Sequence, residues 1–146
     1  YGGPQKGTPF AALVVPFFSG VIPCLKPPYS EIALVDLTTQ EIVWRHGNGF
    51  LGIGLPSVAG GSIITAGGLI FNASVPGSGL RALDVNTGKE LWSEPLPKFS
   101  EATPMSYVSP KSKKQYVLVT SPAVNVDQSG ETSLEGGKVM AYALSD

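Results

Sequence analysis

Apolar and polar residues alternate along this chain in short bursts and do not settle into a helical period. In the stretch EIALVD (31–36), Ile32, Leu34 and Asp36 share one face, as the two-residue period of a strand requires. Ser62–Ala66 and Leu69–Ala73 read as apolar strands joined at Gly67-Gly68, a dipeptide suited to a tight turn. Leu80–Val85 and Lys89–Ser93 follow and complete a four-stranded, up-and-down sheet. A further set starts at Thr103–Val108, turns through SPKSKK, continues with Gln115–Thr120 and ends with Lys138–Leu144. The 18 Gly and 13 Pro interrupt the chain too often for long helices. The expected class is all-β.

A repeat organises these strands. ALVDLTTQEIVW (33–44) and RALDVNTGKELW (81–92) place Asp36 with Asp84, Thr39 with Thr87 and Trp44 with Trp92, each pair 48 residues apart. In each copy a strand runs into a D-x-x-T-G/Q turn. Asp and Thr side chains can bond nearby backbone N–H groups there, and Gly88 tolerates a positive φ. Gln40 stands in place of that Gly, so its turn either differs in type or is strained. A second strand then ends in Trp, a large aromatic for packing between sheets. Four-stranded units of roughly 40–50 residues with such a Trp are the signature of propeller blades. The reading is a partial β-propeller of four-stranded antiparallel blades with Trp-docking motifs. It holds the end of one blade (31–46), a full blade (about 60–95) and three strands of a last blade (102–146). A propeller closes with about four to eight blades. The remainder of the ring is therefore the first partner expected.

Composition narrows the field. Charged residues make up 14% of the 146 residues, against about 25% on average. The net charge of −1 gives no reason to expect nucleic acid. Cys24 is alone, which excludes an internal disulfide and a Cys-based zinc site. No apolar run reaches the ~20 residues of a membrane span. The N-terminus has neither an initiator Met nor the pattern of a signal peptide. The expectation is a C-terminal fragment that begins mid-protein, with any anchor upstream.

With the repeat in hand, the chain resembles the quinoproteins, the PQQ-dependent dehydrogenases. Their A-x-D-x-x-T-G-K-x-x-W motif is present as Ala82, Asp84, Thr87, Gly88, Lys89 and Trp92. GTPF (7–10), IPCLKPPY (22–29), GGSIITAGGLIF (60–71), ATPMSY (102–107), KQYVLV (114–119) and VMAYAL (139–144) resemble the membrane-bound glucose and quinate dehydrogenase branch. The resemblance implies oxidation of a small-molecule alcohol or sugar with pyrroloquinoline quinone (PQQ), assisted by Ca²⁺ or Mg²⁺ and a carboxylate base. It also implies electron transfer to ubiquinone at the periplasmic face of the bacterial inner membrane. In that family the base and the metal ligands lie mostly in earlier blades, so no catalytic or metal-binding residue is assigned here.

A cofactor-lining role is the expected contribution of this chain. Ser57–Gly61 and Glu101–Pro104 both lead into innermost strands, which converge on the mouth of a propeller. The residues assigned to the cofactor are Ala59, Gly60, Gly61 and Thr103. A bulky Trp takes the place of Ala59 in the alcohol-oxidising relatives. Small residues let backbone approach a planar cofactor; alternatively the glycines serve only a strand-entry turn. Two departures from the glucose enzymes, at Val75–Gly79 and at Pro122–Val124, and a short loop at His46–Pro56, leave quinate, shikimate or a polyol as substrates.

Other motifs carry less. GNGFLG (47–52) matches G-x-G-x-x-G, but GIGLPSVAGG follows where a dinucleotide site needs a helix. His46, the one histidine, is read as a turn or surface residue, and Asn72-Ala73-Ser74 as a chance sequon inside a strand. Lys111, Lys113 and Lys114 solvate a hairpin tip. A non-catalytic propeller module in outer-membrane protein assembly, which uses similar blades, is the competing function. The isolated chain is expected to be inactive and to self-associate through cut blade edges.

Overall fold

The computed structural model describes residues 7, 18–19, 22–24, 26–48, 60–73, 79–97, 100, 102–121, 124–126, 132–134 and 136–144. Strands account for its regular structure, as the alternation predicts. They are β1 (Phe18–Ser19), β2 (Ile22–Pro23), β3 (Glu31–Asp36), β4 (Glu41–Gly47), β5 (Ser62–Ile64), β6 (Leu69–Asn72), β7 (Leu80–Asp84) and β8 (Glu90–Glu94), then β9 (Met105–Val108), β10 (Gln115–Ser121), β11 (Val124–Val126), β12 (Thr132–Leu134) and β13 (Lys138–Tyr142).

Strands β5-β6-β7-β8 form one antiparallel sheet in chain order, the four-stranded up-and-down sheet that the strand pattern predicts. The β3–β4 hairpin precedes it, and a three-stranded sheet in the order β13-β10-β9 follows. The β11–β12 hairpin stands between β10 and β13 and was not expected. The predicted strands run one or two residues longer at some ends than the observed ones. Thr65 and Ala66 leave β5 because Thr65 already caps the turn. Its N–H donates to Leu69 O at 2.9 Å, and Gly68 N–H donates to Thr65 O at 3.0 Å. Gly68 takes the positive φ that this tight turn demands.

The two copies of the repeat fold alike. Asp84 Oδ1 accepts from the N–H groups of Asn86 (3.0 Å) and Thr87 (2.9 Å) and from the Thr87 hydroxyl (2.9 Å). Asp36 Oδ1 accepts from the N–H groups of Thr38 (2.7 Å) and Thr39 (3.4 Å). Each turn closes with an N–H of the fifth residue donating to the aspartate carbonyl, from Gly88 at 2.8 Å and from Gln40 at 2.7 Å. Gln40 has φ 60 and Gly88 φ 68, so the turns are of one type and Gln40 carries the strain of a left-handed residue. A bulge follows at the same place in both, between Leu34 and Val35 and between Ala82 and Leu83. It swings the Trp onto the inter-sheet face. A third turn shares this geometry without the sequence motif. Ser109 Oγ accepts from Ser112 N–H, Ser109 O accepts from Lys113 N–H at 2.8 Å, and Lys113 has φ 59.

The core lies between the four-stranded and three-stranded sheets. Ala73, Leu80, Val117 and Val119 are buried together, with Phe71, Leu96, Met140 and Tyr142 packed around them. Strand period 2 puts Phe71, Ala73, Leu80 and Ala82 on this face and Ile70, Asn72, Arg81 and Leu83 on the opposite one. An apolar groove of about 860 Å³ opens along this seam beside Trp92, Phe71, Val117, Tyr142 and Leu144.

The other seam joins the β3–β4 hairpin to the full blade. Trp44 Nε1–H donates to Val85 O at 2.8 Å, and His46 Nε2 donates to Thr87 O at 2.9 Å. The two rings stack at 5.2 Å with an interplanar angle of 25°. Gly88 lies directly beneath them. His46 is thus part of the docking between sheets and not only a turn or surface residue. Trp92, the second Trp of the repeat, meets Tyr142 edge-on at 5.7 Å and remains 40% exposed.

The aspartate turns make this seam acid-sensitive. The Thr87 hydroxyl, followed by the Thr87 and Asn86 amides, holds the Asp84 carboxyl below its ordinary value of 3.8. The Thr38 and Thr39 amides do the same for Asp36. A depressed carboxylate contributes stability that is fully present above 3.8 and lost as pH falls through the lowered folded-state value. Amide exchange at Asn86–Gly88, corrected for intrinsic rate, is expected to accelerate selectively as pH drops through that window. The Asp84→Asn variant should lack this pH dependence.

Candidate functional site

Gly60 and Gly61 lead directly into β5, and Thr103 lies two residues ahead of β9. These are the first strands of two neighbouring sheets. Gly61 and Thr103 meet at this edge. A Cβ on Gly61 would collide with Thr103 Oγ1 and stand 3.0 Å from its Cγ2 and 3.1 Å from its Cβ. The absent side chain at Gly61 therefore lets the Thr103 side chain close against the backbone. Both glycines are half-buried, while Thr103 is exposed. Ala59, the remaining residue assigned to the cofactor, lies outside the described residues, as do Glu101 and the rest of 49–59, 74–78 and 122–123. The exposed Thr103 side chain, with its hydroxyl turned toward Gly61, is what this edge presents, and that hydroxyl can donate to a ligand oxygen or accept from a ligand donor. Among the described residues, no three His, Cys, Asp or Glu side chains converge in a manner that could hold a metal ion. Neither Gly61 nor Thr103 lines the apolar groove beside Trp92.

Behind this edge is a polar row that the sequence did not announce. Ser62, Asn72 and Arg81 stand opposite one another on β5, β6 and β7. Asn72 Nδ2 donates to Ser62 Oγ at 2.9 Å. Arg81 Nη2 donates to Asn72 Oδ1 at 2.9 Å and also to Asn48 Oδ1. Asn48 follows β4, and its own N–H donates to Ser30 O at 2.8 Å, so the guanidinium ties two sheets together. Arg81 is only 8% exposed. Among the described residues, its ion-pair partner is Glu90, 4.0 Å from Nη1, and its Nε has no hydrogen-bond partner. Burial lowers the Arg81 pKa, and Glu90 opposes the shift. The guanidinium nevertheless stays charged, as arginine does in proteins. A buried cation with so distant a counter-ion is costly, and the two described acceptors that offset this cost are neutral amide oxygens.

Known proteins bear on this arrangement. The family profile described as "PQQ: Glucose/ethanol/alcohol dehydrogenase, beta-propeller domain" matches residues 2–117. Quinate/shikimate dehydrogenase (quinone) of Acinetobacter baylyi is 39% identical over 97% of this chain and 18% of its own length. Quinoprotein glucose dehydrogenase A of Acinetobacter calcoaceticus is 35% identical over 98% of this chain and 19% of its own. Among solved structures, a europium-containing methanol dehydrogenase superposes with a TM-score of 0.51 and 33% identity. That match covers 62% of this chain and 14% of the other. The chain thus spans less than a fifth of the length of these relatives. With its Trp-docked, four-stranded blade and a profile match over most of its length, the chain belongs to the β-propeller family of PQQ-dependent glucose, ethanol and alcohol dehydrogenases.

Proposed function

We propose that this chain is the C-terminal part of the propeller of a quinoprotein dehydrogenase, and that it supplies part of the wall of the PQQ cavity. The whole protein would oxidise a cyclic polyol acid such as quinate or shikimate, or else a sugar or polyol. It would pass electrons to ubiquinone at the periplasmic face of the inner membrane. The observation that carries the reading is the apposition of Gly61 and Thr103 at the first strands of adjacent sheets, in a chain 39% identical to a quinate/shikimate dehydrogenase. PQQ, when bound, supplies the two-electron acceptor. Gly61 leaves room for the Thr103 side chain to close against the backbone, and the Thr103 hydroxyl offers a hydrogen bond to a cofactor oxygen. The catalytic base and the Ca²⁺ or Mg²⁺ ligands would come from the remainder of the propeller.

The test uses the complete reading frame with PQQ and Ca²⁺, following dye reduction with quinate, shikimate, glucose and glycerol. Turnover with quinate or shikimate is the expected result. A folded protein that neither binds PQQ nor reduces the dye with any of the four overturns the reading in favour of a non-catalytic propeller. Gly61→Ala forces the Thr103 side chain away from this edge. It should weaken PQQ binding by about tenfold, or about 1.4 kcal/mol, in a direct titration of the apo-protein.

A further inference from the structure

We infer that Arg81 is a positioning residue that sets the placement of the Gly61–Thr103 edge, acting through Asn72 and Ser62, with Asn48 as its anchor on the neighbouring sheet. The inference rests on the reading of that edge as part of the cofactor cavity. Its physical basis is a continuous path of contacts. Arg81 Nη2 holds Asn72 Oδ1, and Asn72 Nδ2 holds Ser62 Oγ. Ser62 is the residue after Gly61, and Gly61 lies against the Thr103 side chain. The same Nη2 is held by Asn48, which directly follows β4 of the sheet on the other side. One guanidinium thus fixes the entry of β5 relative to both neighbours.

The chemistry favours a positioning role over plain packing. An apolar side chain on β7 would fill this space without the cost of burying a charge. What Arg adds is a rigid, planar fork that aims donors in fixed directions. Both Asn48 and Asn72 present their carbonyl oxygens to it, which also fixes the orientation of the Asn72 amide so that its NH₂ faces Ser62. Removing the guanidinium takes away the donor to Asn72 Oδ1 and so loosens the amide that bonds Ser62.

The experiment uses the full-length protein in wild-type, Arg81→Gln, Ser62→Ala and Glu90→Gln forms. Two readouts are taken: PQQ affinity by titration of the apo-protein, and hydrogen exchange at Gly61 and Thr103 without cofactor. Arg81→Gln should raise the PQQ Kd by about tenfold, the size expected for losing a charge-assisted hydrogen bond. It should also speed exchange at Gly61 and Thr103 while leaving Ile42 and Val43 on β4 unchanged. Ser62→Ala, a mild substitution that keeps the buried charge satisfied, should shift both readouts in the same direction. Combined with Arg81→Gln it should add little, because the two act in series. Glu90→Gln should leave both unchanged, since the path does not run through the outer strand. If wild type binds PQQ and the Arg81 and Ser62 variants bind it equally well, the positioning role is wrong and the cavity reading stands. If Glu90→Gln weakens binding as much as Arg81→Gln does, charge burial alone is responsible and the inference fails. If wild type itself does not bind PQQ, the cavity reading fails and this inference falls with it.

Discussion

Replacing Trp44 with Ala is expected to release the β3–β4 hairpin from the adjacent sheet at a cost of about 3 kcal/mol. The indole is half-buried, so the loss falls at the lower end of the range for large aromatics. Three interactions disappear together: the bond from Nε1 to Val85 O, the stack on His46 and the packing over Gly88. Trp44→Phe separates them. It keeps a ring over Gly88 but leaves Val85 O without its donor, which should cost about 1 kcal/mol. Hydrogen exchange is the appropriate measurement, because it reports the seam locally and does not require two-state unfolding. Amides of β3, β4 and the Asn86–Gly88 turn should lose protection together in Trp44→Ala, while those of β10 and β13 should not. Unchanged protection at Asn86–Gly88 would show that the indole does not hold the seam.

Gly88→Ala should be comparably severe, at about 3 kcal/mol, for a different reason. Gly88 has φ 68, where a side chain costs about 1 kcal/mol or more. Its added Cβ would also sit 2.5 Å from His46 Cδ2 and 2.8 Å from Trp44 Cε3, so the docked rings must move. The backbone term alone is tolerable, since Gln40 adopts the same conformation in the equivalent turn. The collision is therefore the larger part. In the Trp44→Ala background the space above Gly88 opens, and Gly88→Ala should cost only its backbone share. A double-mutant cycle read by the same exchange experiment should then show clear non-additivity. Additive costs would mean that strain in the turn, and not contact with the neighbouring sheet, explains the glycine.

The propeller blade was legible because its determinants are local. An Asp that bonds two nearby amides, a Thr two or three residues on, a residue at positive φ and a Trp beyond form a pattern carried within a dozen residues. The ambiguity at Gln40 resolved toward strain: its N–H bonds Asp36 O as the Gly88 N–H bonds Asp84 O, with the side chain held at positive φ. What escaped the sequence depends on distance or on substitution. The turn at Ser109–Lys113 repeats the geometry with Ser for Asp and Lys for Gly, so no motif marks it. β11 and β12 are three residues each, too short for alternation to register. His46 gave no sign of its partner, the Thr87 carbonyl 41 residues away. In the candidate site, Gly61 and Thr103 were identified from their places ahead of two innermost strands, and the structure sets them side by side. Arg81 was missed because a lone Arg in LRALD reads as an outward-facing residue of a half-buried strand. Its acceptors, Asn72 and Asn48, are 9 and 33 residues away.

The docking of Trp44 onto the turn at Asp84–Gly88 also bears on how such propellers can be recombined. The seam between the β3–β4 hairpin and the four-stranded sheet is written in two successive copies of the repeat, with the aromatic in one and the acceptor carbonyl and glycine in the next. A chimaera with its crossover anywhere between Trp44 and Asp84 joins one parent's indole to the other parent's turn. It fits when the incoming turn carries Gly at the fifth position. A turn of the Gln40 kind would thrust its side chain into the donor ring. The unit that can be exchanged without breaking a seam therefore straddles two sheets, running from one Trp to the turn that receives it, and is out of step with the blade as the eye would cut it.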